Sequence, residues 1–138
     1  MGMSRCLFEV ILAVKRKCQA NEEQIWEELG LSPAQFHGLM VLEDGQEITG
    51  CAFAERMALS PSRGSRVLNS LVDEGYAKTQ SDPGDRRAVL VSLTPKGRRT
   101  RQRIVSRMEA CEKRICSRLD QRRVAQVKDA LEPLEATL

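Results

Sequence analysis

The sequence predicts a mostly α-helical fold with one small β-hairpin. Three Ser-Pro or Thr-Pro pairs, at 32–33, 60–61 and 94–95, are typical helix starts. The hydroxyl accepts a hydrogen bond from a free backbone N–H group, and proline fits the first helical turn. The segment 82–85, Asp-Pro-Gly-Asp, is typical of a hairpin turn, because proline fixes φ and glycine tolerates positive φ. With 138 residues, the chain is long enough for one compact domain.

The N-terminal part predicts two helices. Residues 3–29 have apolar side chains at helical spacing, and Gly30 is a typical helix stop. The apolar face of this first helix consists of Leu7, Ile11, Val14 and Cys18. The second helix starts at Ser32-Pro33, and its buried face consists of Phe36, Leu39 and Met40.

The middle of the chain predicts two short helices joined by a tight turn. The third helix spans 49–58 with Thr49 as its cap, and the fourth runs from Ser60 to about Gly75. One face of the fourth helix is apolar: Val67, Leu68, Leu71 and Val72. The opposite face is polar: Ser62, Arg63, Ser65, Arg66 and Asn69.

A hairpin and two further helices complete the predicted fold. The strand candidates 76–81 and 88–93 flank the turn, and Arg86 and Arg87 stand at its tip. The long fifth helix starts at 94–95, and its apolar residues are Ile104, Met108, Cys111, Ile115 and Leu119. The last helix carries Val124, Val127, Leu131 and Leu134, and we expect Pro133 to fray its end.

Two short helices followed by a basic hairpin indicate a winged helix-turn-helix that binds DNA. The polar face of the fourth helix would reach base edges in the major groove, while Ser60 and Ser62 would bind phosphate. An ordinary amphipathic helix with a solvated polar face would explain the same pattern. The hairpin favours DNA, since arginines on a rigid ribbon suit a narrow minor groove. Asp85 would hold one guanidinium in a fixed direction, or form only a weak surface salt bridge.

The charge distribution supports the same interpretation. Residues 50–107 contain 12 Lys and Arg against 5 Asp and Glu, a net charge of +7, whereas the rest of the chain has a net charge of −4. A basic segment of this kind is expected of a surface that binds a polyanion.

This segment resembles the MarR family of bacterial transcription regulators. Asp85-Arg86-Arg87, five further residues and Leu93-Thr94 fit the wing pattern D-x-R-x5-L-T of that family. The resemblance also includes 53–57, 59–62, 65–68, 71–76 and 95–98, and it covers roughly 32–99. At Arg63 and Gly64 the chain departs from the usual pattern. Gly64 lowers helix propensity by about 1 kcal/mol relative to alanine, and either allows a close backbone approach to DNA or has no role.

The resemblance implies one MarR-like domain, 1–138, that forms a homodimer. Residues 1–31 and 100–138 would be the dimerisation helices, and 32–99 the winged helix-turn-helix. The dimer would bind a pseudo-palindromic operator in double-stranded DNA, most often as a repressor. One of Arg86 and Arg87 would enter the minor groove.

The resemblance also implies control by a small effector, usually a lipophilic or phenolic anion. The alternative is a thiol-based redox switch, for which Cys6 lies near the position of the sensing cysteine in some family members. Cys18 and Cys111 lie on apolar stripes, so we expect them to be core residues.

Other classes of protein are less well supported by the sequence. The single histidine, His37, and the lack of a CxxC pair argue against a catalytic or metal site, so we expect no enzyme activity, cofactor or metal. No apolar run approaches the length of a membrane helix, and the odd number of cysteines without a signal peptide indicates a reduced, cytoplasmic protein. The alternative to DNA binding is a winged helix that binds another protein.

Overall fold

A computed structural model describes residues 4–138, so the predicted helix start at residue 3 lies outside the described part. The first helix, α1, spans Leu7–Leu29. It begins after Cys6, whose backbone N–H donates to the Glu9 carboxylate at 2.9 Å. Gly30 ends the helix as predicted, with a left-handed φ of 67° that glycine adopts without steric cost.

The other elements confirm a mostly helical fold with a small sheet. They are α2 (Pro33–Val41), β1 (Ile48–Thr49), α3 (Gly50–Arg56), α4 (Pro61–Asp73), β2 (Ala77–Asp82), β3 (Asp85–Leu93), α5 (Pro95–Arg118) and α6 (Gln121–Thr137). One element was missed and one prediction was wrong. The short strand β1 was not predicted, and α6 continues through Pro133 to Thr137 instead of fraying there.

The predicted helix starts are confirmed by side-chain caps. The Ser32 hydroxyl accepts from the backbone N–H three residues later at 3.1 Å, and the Ser60 hydroxyl does so at 3.3 Å. Thr94 caps α5 in the same way at 3.0 Å. Each bond satisfies one of the backbone donors that a helix start leaves free.

The sheet is antiparallel, with the strand order β1-β3-β2. Ile48 pairs with Val91 in β3, while Ala77 of β2 pairs with Leu93. Toward the tip, the β2–β3 register jumps from the Ser81–Val89 pair to the Asp82–Asp85 pair. The hairpin therefore ends in an irregular segment, 86–88, that has no partner in β2.

The core beneath α4 is closely packed. Phe53, Leu39 and Leu71 are fully buried. A Cβ added to Gly38 in α2 would lie 2.9 Å from the Leu71 side chain, so glycine lets α2 approach α4. A Cβ added to Gly64 in α4 would lie 2.5 Å from Ala54 Cβ in α3. Gly64 is thus buried between the two helices, and the interpretation that it approaches DNA was wrong.

The chain divides into two compact units, one ending at Gln102 and the other spanning Arg103–Leu138. Each exposes apolar side chains on its helices. In the first unit these are Leu7, Phe8, Val10 and Val14, and in the second they are Met108, Ile115, Val127, Leu131 and Leu138. Cys18 is exposed and Cys111 is half-buried, so the prediction that Cys18 is a core residue was wrong for the single chain.

The contact between Gly64 and Ala54 makes a testable prediction. Gly64→Ala should lower the free energy of unfolding by about 1–3 kcal/mol, because the added methyl overpacks the α3–α4 contact. At a helical glycine with free space around it, substitution by alanine would instead raise the free energy of unfolding by up to about 1 kcal/mol. Gly50→Ala, at the first position of α3, is the control, since nothing lies within 4 Å of its added Cβ, and it should leave the free energy of unfolding unchanged or raise it by up to about 1 kcal/mol. Urea unfolding measures both variants, and stabilisation by Gly64→Ala would contradict the packing.

Candidate nucleic-acid interface

Helix α4 presents the polar face that the sequence predicts. Gly64, Leu68 and Leu71 are its buried residues. The residues of the exposed face are Ser62, Arg63, Ser65, Arg66 and Asn69. At 100° per residue, four of these five fall within an arc of roughly 100°, and Arg63 flanks it. The apolar rear face fixes the helix to the domain, so its polar face points to solvent.

The start of α4 is organised by two serines. The Ser60 hydroxyl caps the helix through the Arg63 backbone N–H, and it lies 3.3 Å from the Ser62 hydroxyl. Both side chains are exposed. Helix N-terminal N–H groups and hydroxyls form a surface that can donate hydrogen bonds to a phosphate. Ser60 therefore has a structural role, and its contact with phosphate stays a prediction.

At the hairpin tip, the Asp85 carboxylate has a different hydrogen-bond partner from the one that we predicted. The carboxylate of Asp85 accepts from the backbone N–H of Arg87 at 2.9 Å, whereas we expected it to bond a guanidinium. The reason is local: segment 86–88 has no partner in β2, and a carboxylate two residues back can satisfy its free N–H group. Asp82 does the same for Gly84 at 2.9 Å. These two bonds fix the backbone of the tip.

Seven arginines of the basic segment 50–107 fall into two groups, and the exposed Arg99 and Arg103 of α5 lie outside both. Those of the first group bond backbone carbonyl oxygens: Arg56 to Val41 at 3.2 Å, Arg98 to Leu93 at 3.5 Å and Arg101 to Leu39 at 3.1 Å. In the second group, Arg63, Arg66, Arg86 and Arg87 are exposed. Within residues 4–138, the guanidinium groups of this second group form no hydrogen bond or ion pair. Four unpaired cations thus lie on the α4 face and the hairpin tip.

Sequence reasoning missed a buried amide that positions α4. Gln35 is only 8% exposed. Its side-chain oxygen accepts from the Ser32 backbone N–H at 3.0 Å, and its nitrogen donates to the Ser70 hydroxyl at 2.9 Å. The spacing S-x-x-Q at the start of α2 is a capping-box signal that predicts the first bond. It does not predict the second, which joins residues far apart in sequence.

The turn between α3 and α4 also contains a feature that the sequence did not reveal. Ala58 has a φ of 56°, a left-handed conformation that costs a non-glycine residue about 1–2 kcal/mol. The backbone N–H of Leu59 donates to the Ala54 carbonyl at 3.0 Å. The tight turn brings the two helices of the motif together at Gly64 and Ala54.

No group of three or more His, Cys, Asp or Glu residues that could hold a metal ion occurs in the described part of the chain. His37 lies 3.9 Å from the Glu22 carboxylate, and its ring packs edge-on against Phe36 with centroids 5.2 Å apart. Among residues 4–138, no helix is both long and apolar enough to span a membrane.

The amino-acid sequence is similar to members of a known protein family. Residues 29–88 match the model of the MarR family. Transcriptional regulator AdcR from Streptococcus pneumoniae serotype 2 (strain D39 / NCTC 7466) is 31% identical over 88 residues, a match that covers 64% of this chain. The match spans 60% of the length of AdcR.

Solved structures share the fold over nearly the whole chain. A MarR-like transcription regulator from Bacillus cereus ATCC 10987 is 25% identical with a TM-score of 0.77, over 96% of this chain and 95% of that one. A mutant of MarR from E. coli, complexed with operator DNA, is 22% identical with a TM-score of 0.78, over 93% and 92% of the two chains. These matches confirm the predicted winged helix-turn-helix.

Proposed function

We propose that the chain is a sequence-specific transcription regulator of the MarR family that binds double-stranded DNA, which is supported by the family-model match over residues 29–88 and by the 31% identity to AdcR. The observation that carries this proposal is the set of four exposed, unpaired arginines on α4 and the hairpin tip. The relative AdcR is a transcriptional regulator, which supports the prediction that the chain is not an enzyme. The neighbouring E. coli structure, which contains operator DNA, supports the same class of ligand.

The proposed docking uses both parts of this surface. Helix α4 enters the major groove, where Arg66 can bond both acceptors of a guanine. Ser62 and Ser65 lie on the same exposed face and contact phosphate or base edges. The hairpin tip places Arg86 or Arg87 in the adjacent minor groove, where negative potential is strong. The fixed backbone of the tip lowers the conformational entropy that the hairpin backbone loses on binding.

We further propose that the protein is a homodimer on a pseudo-palindromic operator. A two-fold axis presents two copies of α4 to successive turns of DNA. The exposed apolar side chains of α1, α5 and α6 support this proposal, since a monomeric soluble protein rarely leaves such faces uncovered. A dimer on promoter DNA blocks polymerase, so repression in the cytoplasm is the proposed mode of action.

A small lipophilic or phenolic anion is the proposed effector. An open groove of about 550 Å³ lies beside α1 and the start of α2, and Trp26, Pro33 and Lys15 are among its lining residues. Trp26 and Pro33 can pack against an aromatic ring, and the Lys15 ammonium can attract an anion, whereas Glu22 and Glu23 in the same lining repel it. Ligand binding there would lower DNA affinity only if it favoured a conformation that binds DNA less well.

A redox switch at Cys6 is the alternative mode of control. Cys6 is exposed at the start of α1, but Cys18, Cys51 and Cys116 are exposed as well. Exposure alone therefore does not single out Cys6. The ligand-controlled regulator thus remains the main proposal.

Two arginine variants test the DNA docking. Arg66→Ala should weaken binding to the specific site about tenfold or more, with little effect on unrelated DNA, because it loses a base contact. Arg87→Ala should weaken binding to the specific site and to unrelated DNA alike. It should also reduce the slope of log affinity against log salt concentration by about one, because a cation close to the phosphates is lost. Fluorescence anisotropy measures both, with Arg122→Ala in α6 as the control.

Unchanged binding in both variants would contradict this docking. A wild-type protein that is folded but binds no DNA would instead favour the rival class, a winged helix that binds another protein.

The dimer proposal is tested by a pair of valines with similar exposure. Val127 in α6 is 45% exposed and Val89 in the hairpin is 42% exposed. Val127→Asp should shift the protein toward monomer, because it places a charge in an apolar interface. Val89→Asp should leave the dimer intact. Sedimentation velocity distinguishes these outcomes, and a monomeric wild-type protein would contradict the proposal.

The mode of control can be tested with the only tryptophan of the chain. Salicylate, a phenolic carboxylate, should change Trp26 fluorescence and lower DNA affinity about tenfold, a typical coupling magnitude. Lys15→Ala should abolish both effects, while Lys113→Ala should retain them. If peroxide abolishes DNA binding, thiol restores it and Cys6→Ser prevents the loss, the redox alternative replaces the ligand proposal.

A further inference from the structure

Helix α4 carries positive charge near its start and negative charge at its end. Arg63 and Arg66 are exposed in its first two turns, whereas Asp73 and Glu74 are exposed where the helix ends. Guanidinium groups attract the phosphates of DNA, and carboxylates repel them. The part of α4 that precedes Asp73 is therefore the part that can lie against DNA.

Within this part of the helix, Arg66 and Asn69 point away from the core. Each of them precedes a buried leucine, Leu68 or Leu71, by two residues, which is about 200° around the helix. Both side chains are exposed. Within residues 4–138, the side-chain amide of Asn69 forms no hydrogen bond. This amide is therefore available to a ligand on the same face as the Arg66 guanidinium.

The spacing of these two side chains is compatible with the spacing of base pairs. Asn69 lies three residues after Arg66, which is about 4.5 Å along the helix axis and about 60° around it. The Cβ atoms of side chains at this spacing are about 5–6 Å apart, and successive base pairs are about 3.4 Å apart. The two side chains can therefore reach base pairs that are adjacent or separated by one.

The two side chains differ in their hydrogen-bonding chemistry. A guanidinium only donates hydrogen bonds, and guanine is the base that presents two acceptors, O6 and N7, in the major groove. A side-chain amide both donates and accepts, which matches the N7 acceptor and the N6 donor of adenine. The hydroxyls of Ser62 and Ser65 on the same face can donate or accept, so they discriminate only weakly between bases.

We propose that Asn69 is a specificity-determining residue that bonds N6 and N7 of an adenine close to the guanine bonded by Arg66. A preferred half-site then contains a guanine and an adenine in base pairs that are adjacent or separated by one. This inference rests on the proposed docking of α4 in the major groove. It deepens that proposal, because it assigns a base to a second residue of α4 and predicts part of the DNA sequence that the protein prefers.

Modified bases test these contacts one acceptor at a time. The probe is the duplex that wild-type protein binds most tightly in a selection from a random library. In separate copies, each adenine is replaced by 7-deazaadenine or each guanine by 7-deazaguanine, which lack the N7 acceptor and keep their base pairing. Fluorescence anisotropy gives the affinities of wild-type protein, Asn69→Ala, Asn69→Asp and Arg66→Ala. Asn21→Ala in α1 is the matched control, because Asn21 is the only other asparagine of the chain.

For wild-type protein, replacement of one adenine and of one guanine in a half-site should each weaken binding about tenfold. Asn69→Ala should lose the effect at the adenine and keep the effect at the guanine, and Arg66→Ala should show the reverse. Asn69→Asp should shift the preference at the adenine position toward cytosine by about tenfold, because a carboxylate accepts from cytosine N4 and is repelled by adenine N7. Asn21→Ala should keep both effects.

Three results would overturn the inference alone. Wild-type binding that is insensitive to every adenine replacement within two base pairs of the sensitive guanine would mean that no adenine is read there. An undiminished adenine effect in Asn69→Ala would assign that contact to another side chain. Equal weakening of Asn69→Ala on the selected duplex and on a scrambled duplex would mean that Asn69 contacts phosphate. Wild-type protein that binds no duplex would overturn the proposed function, and the inference with it.

Discussion

The direction of helix α4 depends on the close packing of its rear face against α2 and α3. Leu71 is fully buried, and Gly38 and Gly64 remove the side chains that would keep the helices apart. Burying one leucine is worth about 1.5–3 kcal/mol, which exceeds the cost of about 1 kcal/mol for a helical glycine. Packing therefore outweighs helix propensity at this site. Because the rear face is fixed, the polar face of α4 has a defined direction in which to meet a ligand.

The arginines of the basic segment 50–107 have two different kinds of environment. Arg56, Arg98 and Arg101 bond carbonyl oxygens within the fold, whereas Arg63, Arg66, Arg86 and Arg87 carry the exposed charge. Net charge alone does not separate these groups. The separation matters for DNA, because only a guanidinium without an internal partner can bond bases or phosphates without first breaking a bond. By this criterion the candidate contacts are the arginines of α4 and the hairpin tip, together with the exposed Arg99 and Arg103 of α5.

Features set by local sequence were predictable, and features set by distant contacts were not. The caps at Ser32, Ser60 and Thr94 and the turn at 82–85 depend on a few neighbouring residues, and all were confirmed. Strand β1 has two residues, too few for any periodic pattern to reveal it. The contact of Gly64 with Ala54, the Gln35–Ser70 hydrogen bond and the hydrogen bond from the Thr94 hydroxyl to the Gly75 carbonyl join segments that only the fold brings together.

The candidate interface shows the same division between what was and was not predictable. Its residues follow from the amphipathic pattern of α4 and from the composition of the hairpin. The partner of Asp85 does not, since it depends on the irregular register at 86–88. The sequence also predicted that apolar residues of α1 share one face of the helix. Its exposure in the single chain was not predicted, because periodicity shows which residues share a face and does not show what covers them.

The most direct test of the central claim is a DNA titration of the reduced wild-type protein at several salt concentrations. The probes are a selected palindromic duplex and a scrambled duplex of the same composition. A DNA-reading function predicts binding to the palindrome at least about a thousandfold tighter than to the scrambled duplex, with an affinity that falls steeply as salt rises. Equal binding to both duplexes, or binding that does not respond to salt, would contradict it.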